Sequence, residues 1–487
     1  MHSVVKTLSG EVRGNATSGV TAFLGIPYAA APFGPLRFRE PAPVEPWEGV
    51  RDALEHGPTA PAPGYPAPFS DLLPVVRVPG EEILNLNVWT PDPAASGLPV
   101  MVWIHGGAFV NGSNSIPVYD GSAFARDGVV LVSVNYRLGA EGFLHLPDAP
   151  ANRGLLDQVA ALRWVRDNIA AFGGDPDAVT VFGESAGGMS VGALLAMPSA
   201  RGLFRRAILQ SGAAHHALSA ATASKVAGYL AEEVGVEPTV AGFAGAEPAR
   251  LVAGQQALSA QSATRPDPGR WGEITLNSMV FEPVVDGEVL PALPIEAIAA
   301  GASADVDVLV GSNRDEHRFF LVPTGAADQV TEAAVALVAG AYRLPAGAVD
   351  AYRAERPDSP PGLVLADLMG DWFFRIPAVR LAEANGRAHV YEFDWVTPVL
   401  DGRLGSCHAL EIGFVFDTLA AASDLGGGDP PQELADAMHA AWVAFARTGD
   451  PGWPPYAQDR AVRRFGDVVE TRTDPRGGLR ELWDGIR

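Results

Sequence analysis

The chain has 487 residues, of which 47% are hydrophobic, so it can bury a large core. Its formal net charge is −22 at pH 7, and no cluster of basic residues interrupts this acidic balance. Because proteins bind nucleic acid backbones through clustered Lys and Arg, the composition argues against nucleic acid as a partner.

Cysteine usage bears on the cellular compartment. Cys407 is the only cysteine, which excludes an intrachain disulfide and favours a reducing compartment. The first residues lack the apolar core of a signal peptide, and no stretch approaches 18 apolar residues. We therefore expect a cytoplasmic protein without a membrane anchor. Cys407 itself is either a buried small hydrophobe or a reactive thiol, and the first is commoner.

No low-complexity linker and no repeat of fixed period divides the sequence, so a single domain over residues 1–487 is expected. The first 25 residues alternate and turn at glycines, like a small antiparallel edge. Apolar runs then predict strands at 84–90, 98–104 and 129–134, of the kind found in sheets covered on both faces. Apolar side chains at helical spacing follow at 155–171.

The stretch from Val179 to Gly188 joins a β-branched run to the sequence G-E-S-A-G and then to an apolar helical pattern. This order is typical of a nucleophile elbow, where a sharp strand-to-helix turn lifts a serine above the sheet. Glycine is needed on both sides because a side chain would collide with neighbouring elements. Ser185 is thus the candidate nucleophile, and a tight glycine turn without chemistry is the alternative.

After the elbow, short apolar runs predict strands at 206–212, 306–311 and 388–393, and helices at 220–258 and 431–447. Strands that alternate with helices predict a parallel sheet wound by right-handed crossovers. Open α/β sheets of this kind place their chemistry where the strands end.

The strand at 98–104 ends in His105–Ala108, whose small residues let backbone N–H groups point toward a developing negative oxygen. The predicted oxyanion hole uses the amides of Gly107, Ala108 and Ala186. A plain Gly-Gly turn is the alternative interpretation of the first two.

A serine hydroxyl needs a base, and α/β-hydrolases order their residues as nucleophile, acid and histidine. Of three histidines well downstream, His389 falls in a predicted strand and His439 in a predicted helix. His408 lies in a loop of small residues, where catalytic histidines are commonly found. The acid should follow a strand and precede the base. Asp315 and Glu316 both fit, and the pattern alone does not choose between them.

Together these segments resemble the type-B carboxylesterase family, which includes cholinesterases and bacterial p-nitrobenzyl esterases. Eight further segments carry the resemblance over nearly the whole chain, namely Phe23–Tyr28, Leu36–Phe38, Glu81–Val88, Asn135–Arg137, Gly154–Gln158, Phe172–Pro176, Phe204–Gly212 and His408–Glu411. The resemblance implies an α/β-hydrolase fold, with a large, mostly parallel central sheet flanked by helices and with inserted helical segments. It also implies a bacterial serine carboxylesterase that acts on a small-molecule ester without metal or organic cofactor.

The resemblance assigns Glu316 as the acid of a Ser185–His408–Glu316 triad and makes Asp315 its neighbour. Three residues match supporting positions, namely Ser211, Glu184 and Glu411. Two further expectations come from the same resemblance. Arg37 is expected to form a structural ion pair with Glu81, and Asp157 is expected to have a similar supporting role.

Three departures from the family pattern matter. Ile83 stands where secreted relatives have a disulfide cysteine, and His317 replaces the usual glycine after Glu316, which leaves the backbone there an open question. The proline-rich loop at 57–80 lacks the tryptophan with which cholinesterases bind quaternary ammonium groups, so a cholinesterase is not expected. Phe69 offers only a weaker aromatic face in that loop.

Substrate contacts are predicted for three aromatic residues, namely Phe109, Phe319 and Phe320. Core packing is the alternative for the last two. The run Gly106–Phe109 resembles the GGG(A)X type, which implies room for bulky and even tertiary alcohol esters. A lipase, thioesterase or carbamate hydrolase with the same triad is the alternative enzyme. A non-catalytic cholinesterase-like binding protein is the alternative outside enzymes, and either a monomer or a homodimer is expected.

Overall fold

The computed structural model describes residues 2–487, which form two compact units. Unit 1 comprises the residues up to Tyr65, Val75–Ala207 and His215–Val306, and unit 2 comprises Pro66–Pro74, Ile208–Ala214 and Asp307–Arg487. Each unit combines strands with helices, as alternating patterns along the sequence predicted. The expectation of a single domain stays a prediction.

The strands are β1 His2–Lys6, β2 Glu11–Thr17, β3 Val20–Pro27, β4 Val50–Asp52, β5 Asn85–Thr90, β6 Leu98–Ile104, β7 Val130–Val134, β8 Gly174–Glu184, β9 Arg206–Gln210, β10 Leu218–Ser219, β11 Val284–Val285, β12 Asp307–Asn313, β13 His389–Phe393, β14 Ala461–Phe465 and β15 Glu470–Thr473. The helices of unit 1 are α1 Ser122–Arg126, α2 Gly139–Phe143, α3 Arg153–Asn168, α4 Ala186–Ala196, α5 Ala220–Val234, α6 Val240–Ala244, α7 Pro248–Thr264, α8 Pro268–Trp271, α9 Ile274–Asn277 and α10 Pro294–Ala299. Those of unit 2 are α11 Arg318–Leu321, α12 Glu332–Ala341, α13 Ala348–Glu355, α14 Pro361–Gly370, α15 Ile376–Asn385, α16 Ile412–Phe416, α17 Ser423–Gly426, α18 Gln432–Thr448 and α19 Gly477–Glu481.

The main strands of unit 1 lie in the order β1-β2-β3-β5-β7-β6-β8, and β4 pairs with β2. The strands from β1 to β7 in this order are antiparallel, which confirms the predicted antiparallel edge. By contrast, β6 is parallel to both β7 and β8, with Val102 opposite Val132 on one side and Val181 on the other. All three valines are fully buried, as expected for strands covered on both faces.

In unit 2 the order is β9-β12-β13-β14-β15. Here β12, β13 and β14 are parallel, and β15 returns antiparallel to β14. The sequence pattern had indicated β9, β12 and β13 but neither β14 nor β15. Their sequences are A-V-R-R-F and E-T-R-T, and β15 has no buried residue. β14 does bury Ala461, Val462 and Phe465, but these residues form neither a continuous apolar run nor a regular alternation, so hydrophobic periodicity revealed neither strand.

The predicted helix at 155–171 is α3 followed by a 3₁₀ turn at Ile169–Phe172. The helical region at 220–258 is instead broken, because α5 ends at Gly235 in the left-handed conformation (φ 61°) and Pro238 follows. The helix predicted at 431–447 is α18. None of the helices within residues 2–487 is both long enough and apolar enough to cross a bilayer.

Arg37 pairs with a different carboxylate from the one expected. Its guanidinium Nη2 lies 2.5 Å from Glu141 Oε1, whereas Glu81 is exposed. Arg37 and Glu141 are both buried, and Arg37 Nη1 also donates to the carbonyls of Ala244 and Ala246. The expected pair with Glu81 is therefore wrong, because a buried guanidinium is stabilised by a carboxylate that is buried with it.

Asp157 has the supporting role that was expected. Its Oδ2 accepts hydrogen bonds from the Arg137 backbone N–H (3.0 Å) and Nε (2.8 Å), and its Oδ1 accepts one from Nη2 (2.6 Å). Both side chains are almost completely buried, with exposed fractions of 0% for Asp157 and 1% for Arg137. Removing either group would leave a buried charge without its partner.

Asp157→Ala is expected to lower the free energy of unfolding by about 3–5 kcal/mol, because it leaves the Arg137 guanidinium uncompensated in the interior. The measurement is urea denaturation at pH 7. The matched control is Asp52→Ala, which breaks the exposed pair with Arg13 and should cost no more than about 1 kcal/mol. Equal losses in the two variants would contradict the prediction.

Candidate active site

Ser185 occupies the turn between β8 and α4, with φ 55° and ψ −124°, and it is partly exposed. A Cβ atom at Gly183 would lie 2.6 Å from the carbonyl oxygen of Ile104, and one at Gly187 only 2.0 Å from it. Both positions therefore require glycine. The close packing of this turn against β6 holds the serine in a strained conformation and presents its hydroxyl, as a nucleophile elbow does.

The loop after β6 turns through three consecutive residues with positive φ, namely Gly107 (115°), Ala108 (52°) and Phe109 (60°). This conformation is unfavourable for alanine and phenylalanine. It is held by the carbonyl of Gly107, which accepts hydrogen bonds from the N–H groups of Val110 (3.0 Å) and Asn111 (2.9 Å). The loop therefore has a fixed backbone, as an oxyanion hole requires.

The loop and the elbow lie against each other within unit 1. A Cβ atom at Gly106 would lie 3.1 Å from the Ser185 Cβ and 2.8 Å from the carboxylate oxygen Oε2 of Glu184. Ala186 is the first residue of α4, where backbone N–H groups lack partners in their own helix. The structure thus brings together Ser185, Glu184 and the segments that carry the three predicted oxyanion amides.

The imidazole of His408 lies against Glu316 within unit 2. Its Nδ1 is 2.6 Å from Glu316 Oε2, and Glu316 Oε1 accepts a hydrogen bond from the backbone N–H of Asn313 (2.8 Å). Both side chains are buried. Because a carboxylate accepts hydrogen bonds, the contact indicates a proton on Nδ1 of His408.

Asp315, the other candidate acid, has different partners. Its carboxylate lies 2.5 Å from Arg356 Nη1 and accepts a hydrogen bond from the backbone N–H of Ser406 (3.1 Å). Burial alone would raise the pKa of Asp315, but the charges of Arg318 and Arg356 hold that pKa below its usual range. Asp315 therefore links the acid segment to the loop of His408 and is not positioned on the imidazole.

Asn313 is a residue of this site to which sequence analysis gave no role. Its backbone N–H holds Glu316, while its side-chain amide donates to the carboxylate of Glu411 and to the carbonyl of Cys407, each at 2.7 Å. Glu411 also accepts from Gln210 (3.1 Å), and burial together with the charge of Glu316 raises the pKa of Glu411. The position of Asn313 at the end of β12 was the available signal.

The structure also describes the surroundings of four other residues that the sequence analysis considered. Ser211 follows β9 with φ 46°, and its N–H donates to the carbonyl of Gly311 (2.9 Å). His389 lies in β13 and His439 in α18, as their patterns indicated. Cys407 is fully buried, and burial raises the pKa of its thiol well above the ordinary value, so the interpretation as a buried small hydrophobe is favoured.

Aromatic rings surround the His408 imidazole. Ring centroids lie 4.7 Å away for Phe374, 5.3 Å for Phe320 and 6.3 Å for Phe319. Phe374 belongs to a single turn of π-helix, Asp371–Arg375, a feature that often occurs at functional sites. Of these rings Phe320 is the one most open to solvent, at 37% exposed.

Phe109 and Phe69 pack differently from each other. Phe109 has no exposed surface and packs edge-on against Phe143, with centroids 4.9 Å apart, which favours a core position over a substrate contact. Phe69 packs against Phe319, with centroids 5.4 Å apart. The proline-rich loop thus contributes one aromatic ring to unit 2.

His317, which replaces the usual glycine, has φ −75° and ψ −8°, so any residue can adopt its backbone conformation. Its ring is buried, with centroids 5.0 Å from Phe320 and 5.6 Å from both Phe373 and Phe374. Burial, with a smaller effect of the His408 charge, lowers the pKa of His317 to about 3. His317 is therefore a neutral member of the aromatic cluster at pH 7.

This low pKa predicts an acid sensitivity. As the pH falls below about 6.5, the unfolded chain binds a proton at residue 317 that the folded protein does not accept until about pH 3. Stability contributed by neutral His317 is therefore lost as the pH falls. When the pH is lowered from 7.5 to 4.5, the free energy of unfolding measured by urea denaturation should fall by about 2–3 kcal/mol more for the wild type than for His317→Phe. His2→Phe, at an exposed position, should behave like the wild type.

The whole chain was compared with known proteins. The profile of the Carboxylesterase family matches residues 1–471. The para-nitrobenzyl esterase of Bacillus subtilis is 38% identical over 99% of this chain and 98% of that protein. The phenmedipham hydrolase of Pseudarthrobacter oxydans is also 38% identical, over 95% of each chain.

Solved structures agree with these sequence matches. A carboxylesterase of Geobacillus stearothermophilus, at 38% identity, has a TM-score of 0.86 over 99% of both chains, and a PNB esterase has 0.85 at 35% identity. The inferred α/β-hydrolase fold, with parallel central strands and flanking helices, is thereby confirmed. With a family match over almost its entire length, the chain belongs to the carboxylesterase family and is a serine hydrolase of carboxylic esters.

Proposed function

We propose that Ser185, His408 and Glu316 act as one catalytic triad that hydrolyses esters through an acyl-enzyme. The observation that carries this proposal is the 2.6 Å contact between His408 Nδ1 and Glu316, which leaves Nε2 as the basic nitrogen. The strained elbow conformation of Ser185 and the full-length similarity to carboxylesterases support the same assignment.

In this mechanism His408 takes the hydroxyl proton as Ser185 attacks the ester carbonyl, and Glu316 stabilises the imidazolium that forms. The negative oxygen of the tetrahedral intermediate accepts hydrogen bonds from the amides of Gly107, Ala108 and Ala186. Loss of one such donor typically reduces kcat by about 10²–10³-fold. His408 then returns its proton to the leaving alcohol. In the second half, His408 activates a water that cleaves the acyl-enzyme.

An organophosphate tests this assignment directly. Incubation with a p-nitrophenyl phosphonate should release one p-nitrophenolate per chain, and digestion should place the adduct on the peptide that contains Ser185. His408→Ala should label far more slowly, while His439→Ala, in α18, is the control and should label at the wild-type rate. An adduct on another residue, or equal rates for both variants, would reject the triad.

The substrate is expected to be a small-molecule ester. Lipase, thioesterase and carbamate hydrolase activity use the same machinery, so a chain-length series of p-nitrophenyl esters, compared with thioesters and carbamates, distinguishes them. Phe319 and Phe320, next to His408, are proposed to contact the substrate.

The supporting roles of Ser211, Glu184 and Glu411 remain predictions. The same holds for a cytoplasmic location and for a monomeric or homodimeric state.

The alcohol side of the substrate gives a separate prediction. Because the run Gly106–Phe109 resembles the GGG(A)X type, tert-butyl acetate should be hydrolysed at a measurable rate. The measurement is acetate release from tert-butyl and n-butyl acetate at equal concentrations. Turnover of n-butyl acetate with none of tert-butyl acetate would remove the expectation of a site open to tertiary alcohols, without affecting the triad.

A further inference from the structure

Each of the three predicted oxyanion N–H groups shares its peptide unit with the carbonyl group of the preceding residue. In a planar trans peptide the C=O and N–H bonds point in opposite directions, so a hydrogen bond to the carbonyl also fixes the direction of the N–H. The carbonyl of Ser185 accepts from the N–H of Met189 at 2.8 Å. The direction of the Ala186 N–H is therefore set by the helical backbone of α4.

The second amide is also oriented by backbone. The N–H of Ala108 shares its peptide with the carbonyl of Gly107, which accepts from Val110 and Asn111. Both donors are main-chain groups of the same tight loop. The direction of the Ala108 N–H is therefore set by the backbone and not by a side chain.

The third amide differs from the other two. The N–H of Gly107 shares its peptide with the carbonyl of Gly106, and the partner of that carbonyl is the imidazole Nδ1 of His105, at 2.8 Å. A carbonyl oxygen can only accept, so His105 carries a proton on Nδ1. A Cβ at Gly112 would lie 2.4 Å from both the Gly106 oxygen and His105 Nδ1, so this contact also requires glycine at position 112.

The His105 ring is itself held in place. It is 1% exposed and stacks on Tyr136, with centroids 4.6 Å apart and planes inclined by 23°. The Tyr136 hydroxyl donates to the carbonyl of His105 at 2.9 Å. Burial lowers the pKa of His105 to about 4, an effect that the contact with the Gly106 carbonyl opposes. The imidazole is therefore a neutral, fixed donor at pH 7.

We propose that His105 is a positioning residue for catalysis, which orients the Gly107 N–H toward the oxyanion by holding the carbonyl of Gly106. This inference rests on the proposed function, because it requires that an oxyanion forms beside Ser185. His105 does not touch the reacting atoms. It acts only through the peptide unit that joins Gly106 to Gly107. Loss of His105 should therefore weaken binding of the negatively charged intermediate and leave substrate binding nearly unchanged.

The test compares four enzymes, namely the wild type, His105→Phe, His105→Asn and Tyr136→Phe. His105→Phe keeps a ring that can stack on Tyr136 but removes the donor. In His105→Asn the amide nitrogen can occupy the place of Nδ1 and restore the donor. Tyr136→Phe keeps the ring stack and removes only the hydrogen bond to the carbonyl of His105. That carbonyl shares its peptide unit with the N–H of Gly106, which is not one of the three predicted oxyanion donors.

For each enzyme, kcat and KM for p-nitrophenyl acetate and the inhibition constant of a trifluoromethyl ketone are measured. The ketone forms a tetrahedral adduct with a negative oxygen. His105→Phe should lose about 10–100-fold in kcat, less than deletion of a donor, and lose ketone affinity in parallel, with KM within about threefold. His105→Asn should recover most of both losses, and Tyr136→Phe should retain both values.

Melting temperatures and stoichiometric phosphonate labelling identify the folded, competent fraction of each variant. If His105→Phe retains ketone affinity, or if folded His105→Asn loses as much as His105→Phe, the positioning role is wrong. If His105→Phe does not fold, His105→Asn is compared with His105→Gln, whose amide extends one bond farther. Equal kcat and equal ketone affinity in these two variants would then overturn the proposal. Absence of labelling in the wild type would reject the proposed function instead.

Discussion

Ser185→Ala is expected to reduce kcat for an activated ester by about 10⁴–10⁶-fold, with little change in KM. No other atom at the elbow can form the acyl-enzyme, and what remains is catalysis by the oxyanion amides and by binding alone. Ser185 already has the backbone strain of the elbow (φ 55°), and alanine keeps a Cβ in the same place. The loss should therefore arise from chemistry and not from unfolding.

The matched control lies on α4, the helix that follows the elbow. Ser190 is fully buried in α4 and its hydroxyl accepts a hydrogen bond from Gln158 Nε2 at 3.0 Å. Ser190→Ala should lower the melting temperature slightly and leave kcat near the wild-type value. Initial rates with p-nitrophenyl acetate, at protein concentrations matched by absorbance, measure both variants. Residual activity above about 1% in highly purified Ser185→Ala would show that another residue is the nucleophile.

The second large effect is expected from Glu316→Gln, at about 10⁴-fold in kcat. The backbone N–H of Asn313 donates to Oε1, so a glutamine would keep its oxygen there and place its NH₂ group against His408. Nδ1 of His408 would then have to accept, which moves the proton to Nε2 and removes the base that faces the serine. The structure thus predicts the wrong tautomer and not merely a lost charge.

Two comparisons test this interpretation. Glu411 is a neighbouring buried carboxyl that contacts Gln210 and Asn313 and has a raised pKa. Glu411→Gln should therefore reduce kcat far less than Glu316→Gln does. ¹⁵N spectra of the imidazole should show the proton on Nδ1 in the wild type and on Nε2 in Glu316→Gln. A wild-type tautomer in a Glu316→Gln enzyme of low activity would contradict the mechanism of the loss.

Local sequence patterns were sufficient for much of the fold. The strands β5, β6, β7 and β8 and the helix α3 were predicted because their apolar residues recur at the spacing of buried strands or of a helix. The elbow at Ser185 could be recognised because the sequence G-E-S-A-G stands directly between a β-branched run and a helical pattern. The same reasoning missed β14, whose buried residues neither alternate nor form a continuous run, and β15, which has no buried residue.

The hydrogen-bond and ion-pair partners of polar side chains could not be predicted from local sequence patterns. Arg37 faces Glu141, which lies 104 residues away, and the choice of this partner depends on which carboxylate is buried beside it. The position of Asn313 at the end of a strand was a signal, but it did not show that this residue holds both Glu316 and Glu411. Such contacts are decided by side-chain direction and burial, which a linear pattern does not contain.

By itself the sequence determined the strand and helix pattern, the candidate nucleophile and the family resemblance, because each depends on residue types at short, regular spacings. The residue pattern left Asp315 and Glu316 open and the family resemblance assigned Glu316, but only the tertiary structure places Glu316 Oε2 2.6 Å from His408 Nδ1, across 92 residues of sequence. It also showed that His105 holds the Gly106 carbonyl. The physical reason is that hydrogen bonds form over a few ångströms in space, and the direction of a side chain is set by the packing of the whole chain around it.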